Sequence, residues 1–120
     1  MTTVAVENRQ RIGRRRGSYE EYLALPDDGR VVEWANGEII EHMPPTSEHQ
    51  RIAGFLERLL AAYVDLLKLG EVFDAPIEVK LWPDGPSREP DILFISSEQG
   101  RQMRLRRFEG APALVVDIVS

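Results

Sequence analysis

Asp117 is the residue that packing explains least. It stands in ALVVDIV, between Val115-Val116 and Ile118-Val119, where an ionised carboxylate costs several kcal/mol unless it is paired or bound to a cation. A salt bridge to a nearby arginine is one answer. A second acid, Asp91, offers another: it follows Pro90 directly and opens a second apolar run, DILFI. Two carboxylates on neighbouring strands can hold Mg²⁺ or Mn²⁺, hard cations that take oxygen ligands and keep waters for exchange with substrate. Such an ion activates a water and stabilises charge on a phosphodiester. Asp91 and Asp117 are therefore the candidate metal ligands and catalytic acids. His49, beside the start of a long helical pattern, could contact phosphate or assist proton transfer. A lysine would complete the site by orienting the attacking water or neutralising developing charge. Lys80, in Glu78-Val79-Lys80, is the candidate if it reaches Asp91 across a hairpin; otherwise Glu78 and Lys80 are the polar face of an alternating strand.

The elements that must position these residues are readable in outline. Ser18 and Glu21 fit a capping box, and SYEEYLAL gives a short helix ended by Pro26. Asn36-Gly37 lies between two apolar runs and supplies the positive φ of a two-residue hairpin. Ser47 and Gln50 suggest a second capping box, before Ile52, Phe55, Leu56, Leu59, Leu60, Tyr63 and Leu67 recur at helical spacing as far as Gly70. From Phe73 to Leu81 apolar and polar residues alternate, predicting a strand with one wet face, and Pro76 makes it an edge or a bulge. PDILFI predicts a second strand, a Ser96-Ser97 cap a helical arginine-rich segment, and ALVVDIV a central strand covered on both faces.

Composition narrows the chemistry. The 120 residues fit one domain. The absence of cysteine excludes disulfides and thiolate zinc sites. No run of about 18 apolar residues exists to span a bilayer, and MTTVAVENRQRIGRRRG lacks the apolar core of a signal peptide, so a cytoplasmic protein is expected, with no membrane partner. Residues 1–17 read as a flexible basic leader. A net charge of −5 argues against avid nonspecific binding to duplex DNA. The clustered arginines, Arg9, Arg11 and Arg14 to Arg16 in the leader and Arg101, Arg104, Arg106 and Arg107 later, read first as solvated surface. Glu38, Glu41 and His42 read as hairpin surface, and Trp34 and Trp82 as core packing.

The Pro90-Asp91 pair with an acid in a following apolar strand resembles the PD-(D/E)XK nuclease pattern. More of the chain shares the likeness. SYEEYLALPDDGR, NGEIIE, SEHQRI, GEVFDAPIEVKL, EPDILFIS and GAPALVVDIVS, in this order, resemble the Uma-type family of restriction-endonuclease-like proteins over residues 18–120. The resemblance implies an α/β (α+β) fold with a restriction-endonuclease-like core, a mixed β-sheet flanked by helices. It implies Asp91 as the first metal-binding acid and Asp117 in the place usually held by glutamate. The E-X-K lysine would stand two positions after Asp117, where this chain has Val119. In the family that lysine lies on a later segment, so the domain at 18–120 is expected to lack the C-terminal part of its core. Two functions follow as expectations: a metal-dependent endonuclease acting on nucleic acid, DNA before RNA; or an inactive nuclease-fold remnant that dimerises or binds a partner through an unfinished sheet edge.

Overall fold

Local chemistry places most of the breaks between elements. In chain order these are strands β1 (Thr2–Ala5) and β2 (Arg11–Arg16), helix α1 (Tyr19–Leu23), β3 (Val32–Ala35), β4 (Glu38–His42), helix α2 (Ser47–Leu67), β5 (Gly70–Asp74), β6 (Glu78–Lys80), β7 (Ser87–Arg88), β8 (Ile92–Ser96), a 3₁₀ turn (Ser97–Gln102), β9 (Arg107–Glu109) and β10 (Leu114–Asp117). The computed structural model describes residues 2–5 and 11–119. Ser18 and Glu21 exchange hydrogen bonds of 3.1 Å in a reciprocal capping box that starts α1. Asn36 and Gly37, at φ 53 and 73, turn β3 back into β4 with Ala35 paired to Glu38.

Helix α2 begins one residue earlier than the Ser47 box implies. Thr46 is its N-cap, the hydroxyl accepting from the His49 N–H at 3.1 Å. It ends at Lys68, which takes the left-handed conformation (φ 53) rather than leaving that task to Gly70. Gly70 has a different duty. At φ 151, a Cβ there would lie 2.0 Å from the Ile95 carbonyl oxygen, so only glycine lets β5 approach β8 this closely.

The strand expected over Phe73 to Leu81 is two strands in two sheets. Pro76 has no N–H to donate to a ladder, and across it the chain leaves β5 for β6. One mixed sheet runs β1, β10, β8, β5; the other runs β2, β4, β3, β7, β6, β9. Their facing sides make the main core, where Leu93, Ile95 and Val115 of the first sheet meet Val79 and Phe108 of the second. A smaller core of Tyr22, Val32 and Ile39 lies under α1. α2 packs beside β5.

Three further expectations are corrected. The leader is not unstructured where it is described: β2 pairs antiparallel with β4, and Arg14 and Arg15 ion-pair with Glu38 and Glu41. Backbone pairing does not require apolar side chains, and a charged outer strand is a common sheet border, so the arginine run concealed a strand. Residues 1 and 6–10 lie outside the described residues, as does Ser120. The sheet edge expected to lie open beside β10 is occupied, with β1 parallel on one side and β8 antiparallel on the other. The arginine-rich segment is helical only as the 3₁₀ turn; beyond it Phe108, fully buried, draws the chain into β9 beside β6.

Gly70→Ala should lower the unfolding free energy by at least about 2 kcal/mol. Gly100→Ala, where an added Cβ meets nothing within 4 Å, should change it by less than about 0.5 kcal/mol. Urea-denaturation midpoints of the two variants check the contrast.

Candidate functional site

The chain brings Asp91 and Asp117 together by strand register. β8 and β10 run antiparallel with Ile92 opposite Val116, so Asp91 and Asp117 flank the same end of the pair. There the backbone ladder is continued by side chains. The Asp91 N–H donates to Asp117 Oδ1 at 3.3 Å, and the Ile118 N–H donates to Asp91 Oδ2 at 2.6 Å. Asp91 is buried and Asp117 half-buried. A carboxylate in such a place is retained because charge-assisted hydrogen bonds replace the water it loses.

His49 joins them from the first turn of α2. Its Nε2 lies 3.3 Å from Asp91 Oδ1, with about nine-tenths of the imidazole buried, while its Nδ1 is buried with no hydrogen-bond partner among the described residues. The Thr46 cap fixes the turn that carries it, and the positive end of the 21-residue α2 faces the Asp91 carboxylate. Thr46, His49, Gln50 and Asp91 line a cleft of about 180 Å³, together with Gly29, Val31 and the Met43 to Pro45 loop. Asp74 lines it too. The alternating pattern placed Asp74 on a wet strand face; its place opposite Ile92, next to Asp91, comes from the β5–β8 register.

Lys80 is not part of this group. It pairs with Ser87 on the β6–β7 ladder of the six-stranded sheet, whereas Asp91 heads β8 of the four-stranded one. Its ammonium donates to the Gly85 carbonyl at 2.6 Å and to Ser87 Oγ at 3.2 Å, and sits 3.7 Å from the Tyr19 ring centroid. Glu78, expected on a wet face with it, is also buried and accepts from Ser87 Oγ at 2.7 Å and Tyr19 Oη at 2.8 Å. Alternation marked two chemically different faces correctly, but the polar one lies under α1. Burial lowers the Lys80 pKa, and burial with the bond to Glu78 pushes the Tyr19 phenol up to about 12.

A second polar cluster carried no sequence signal. Glu33, on β3, accepts from the Glu89 N–H at 2.8 Å and meets His42 Nε2 at 2.7 Å, so His42 is buried rather than at the surface. Glu89 accepts from Tyr22 Oη at 2.7 Å and from the Val32 N–H at 3.0 Å. Burial acts to raise the Glu33 pKa, but bonds to His42 and Glu89 hold it below its ordinary value. Glu89 goes the other way: burial, then the charges of Glu33 and Glu78, push its carboxyl up to about 7. Glu38 and Glu41 ion-pair with Arg14, Arg15 and Arg30. Arg104, Arg106 and Arg107 pair with Glu109 and Asp27. Trp34 is half-buried and donates to the Gly17 carbonyl at 2.9 Å, whereas Trp82 is 54% exposed and not a core residue.

Among the described residues no group of three or more His, Asp or Glu side chains is arranged to hold a metal ion. Two adjacent carboxylates still fit Mg²⁺, which commonly binds through one or two carboxylates and completes its shell with waters and substrate phosphate.

Two sheets with flanking helices, and an acid pair at the head of β8 and the end of β10, define a restriction-endonuclease-like α/β protein. Residues 19–120 match the Uma2 family, described as "Putative restriction endonuclease", and the chain belongs to that family. No curated protein matches the sequence. No helix among the described residues is long and apolar enough to cross a membrane.

The Glu89 carboxyl has a folded-state pKa above its ordinary 4.5, so the stability tied to its protonated form is fully present below about pH 4.5 and is lost as pH rises through about 7. Unfolding free energy should therefore fall between about pH 5 and pH 8, by at most roughly 3 kcal/mol from this group. Glu89→Gln should flatten the slope. Unfolding midpoints across that range, with an unchanged slope in the variant, would assign the titration elsewhere.

Proposed function

We propose that the chain is a metal-dependent nuclease domain that hydrolyses phosphodiester bonds of nucleic acid, DNA in the first instance, in the cytoplasm. The observation that supports this most is the pairing of Asp91 and Asp117 at one strand end, beside a cleft, in a member of a restriction-endonuclease family. Asp91 and Asp117 would hold Mg²⁺ or Mn²⁺. The ion, when bound, lowers the pKa of water and neutralises charge on the phosphate.

The chain's own residues then have separate tasks. The Ile118 N–H and His49 fix the orientation of the Asp91 carboxylate from two sides. His49 is thus a positioning residue, acting on phosphate only through Asp91. The Thr46 cap and the α2 dipole bias the cleft towards an anionic substrate. Lys80, tied to Gly85 and Ser87, supports the six-stranded sheet and takes no part in this reading.

Calorimetric titration with Mn²⁺ tests the assignment without requiring turnover. Asp91→Asn and Asp117→Asn should each weaken binding by at least about 10-fold. Asn at either place keeps the carbonyl acceptor that the Ile118 or Asp91 N–H uses, so both variants should fold. His49→Ala should cost up to about 10-fold, as loss of an outer residue that orients a ligand does. Equal Mn²⁺ affinity in the wild type and both asparagine variants would remove the metal site and the reading built on it.

A further inference from the structure

Trp82 is more than half exposed, yet its indole is not loose. It opens a turn closed by the Gly85 N–H, which donates to the Trp82 carbonyl at 2.9 Å. A Cβ at Gly85 would stand 2.6, 2.7 and 2.8 Å from Cε2, Cδ2 and Nε1 of the indole. Near-equal distances to three ring atoms place that point over a face of the ring and not beside an edge, so one face rests on the glycine backbone. Trp82 also lines a cavity of about 430 Å³, with Tyr19, Lys80, Pro83, Arg107 and Glu109, and Gly85 is not among its walls. The face that Gly85 leaves uncovered is the one available to the cavity.

The walls select what lies on that face. The volume is within the roughly 300–1,000 Å³ of small-molecule sites. Arg107 and Glu109, both partly exposed, stand side by side as a donor and an acceptor. The Arg107 guanidinium is held by donating to Tyr19 Oη and Glu109 Oε2, both at 3.1 Å, and each Nη keeps one N–H beyond those bonds. Glu109 meets Arg104 Nε at 2.7 Å through its other oxygen, and each carboxylate oxygen has a second lone pair. A hydrocarbon ring would satisfy neither group. A cationic ligand would meet Arg107 and the Lys80 ammonium, which already occupies the Tyr19 ring at 3.7 Å from its centroid. A nucleobase stacks on an indole by its π-face and carries donors and acceptors together on its edges.

We propose that this cavity binds one unpaired nucleobase, stacked on Trp82, with Arg107 and Glu109 on its polar edge. The same chemistry has two sources: a base on a nucleic-acid strand, which rests on the nuclease reading above, and a free nucleotide, which does not.

Calorimetric titration of the whole chain with the four nucleoside monophosphates, and with a short oligonucleotide single-stranded and paired, tests this. Trp82→Ala should weaken base binding by roughly 5- to 100-fold, and Trp82→Phe, which keeps an aromatic face, by less than about 3-fold. Trp82 is exposed and lies in a loop, so both variants should fold, as circular dichroism checks. Glu109→Gln should change the order of preference among the four bases. In proton NMR the Trp82 indole N–H signal should move on saturation more than that of Trp34. A single strand that binds more tightly than any monophosphate, and loses the gain on pairing, identifies a strand as the source; equal affinities identify the free nucleotide. No binding of any monophosphate or single strand up to about 5 mM overturns the proposal. So does binding that Trp82→Ala leaves unchanged, or an order of preference indifferent to Glu109→Gln. The Mn²⁺ titration reads the acid pair separately: Mn²⁺ uptake without base binding removes this site and leaves the nuclease reading, and base binding without Mn²⁺ uptake does the reverse.

Discussion

The end of the β8–β10 pair is held by side chains where a backbone carbonyl would normally serve, and the geometry around it follows from that substitution. Ile92, Leu93 and Ile95 of β8 are almost completely buried, so the strand cannot shift to relieve a charged neighbour. Asp91 can stand at its head only because the Ile118 N–H and His49 replace its lost water. Those two bonds also join three separate elements, β8, β10 and the first turn of α2. Removing the Asp91 carboxylate would strand a buried N–H, an expense of about 1–3 kcal/mol beyond any effect on chemistry.

The six-stranded sheet meets the same difficulty with a longer chain of donors and acceptors. Lys80 donates to Ser87, Ser87 to Glu78, and Tyr19 to Glu78, while Arg107 donates to Tyr19 at 3.1 Å. Beside it the Glu33 and Glu89 carboxylates receive N–H groups from each other's strands. Buried ionic groups of this kind contribute little net stability compared with apolar packing, and breaking one member exposes the rest to unpaired burial. These bonds tie β3, β6, β7 and α1 to one another.

How much of this was legible depended on whether the cause was local. The Ser18–Glu21 box, the Asn36-Gly37 turn, α2 and the run from Ile92 to Ser96 rest on neighbours a few residues apart, and a sequence displays those. The Asp91–Asp117 pair was legible for a related reason, since an acid amid apolar residues is anomalous wherever it occurs. The burial of Glu78, Lys80 and His42 was not, because it is decided by partners distant in the fold: α1, contributed from far earlier in the chain, brings Tyr19 onto Glu78 and Lys80, and Glu33 of β3 meets His42. β2 hid behind its arginines, β7 was too short to carry a pattern, and β9 lay inside a segment that looked helical. The cleft next to Asp91 draws its lining from segments as far apart as Gly29, Met43 to Pro45 and Asp74, and no spacing rule foresees that.

The placement of the two tryptophans decides what an optical experiment on this protein sees. Trp34 is in β3, pressed near Lys80 with its ring centroid 4.7 Å from the ammonium, and Trp82 stands outside β6 with most of its indole in water. Trp34 is in the six-stranded sheet and Trp82 in the loop that joins its β6 to β7; the strands of the four-stranded sheet and α2 contain none. Intrinsic tryptophan emission therefore reports on one half of the molecule in two colours, a shielded signal and a solvated one, and no tryptophan stands on α2 or β8. A reporter placed in α2 would be needed to watch the other half.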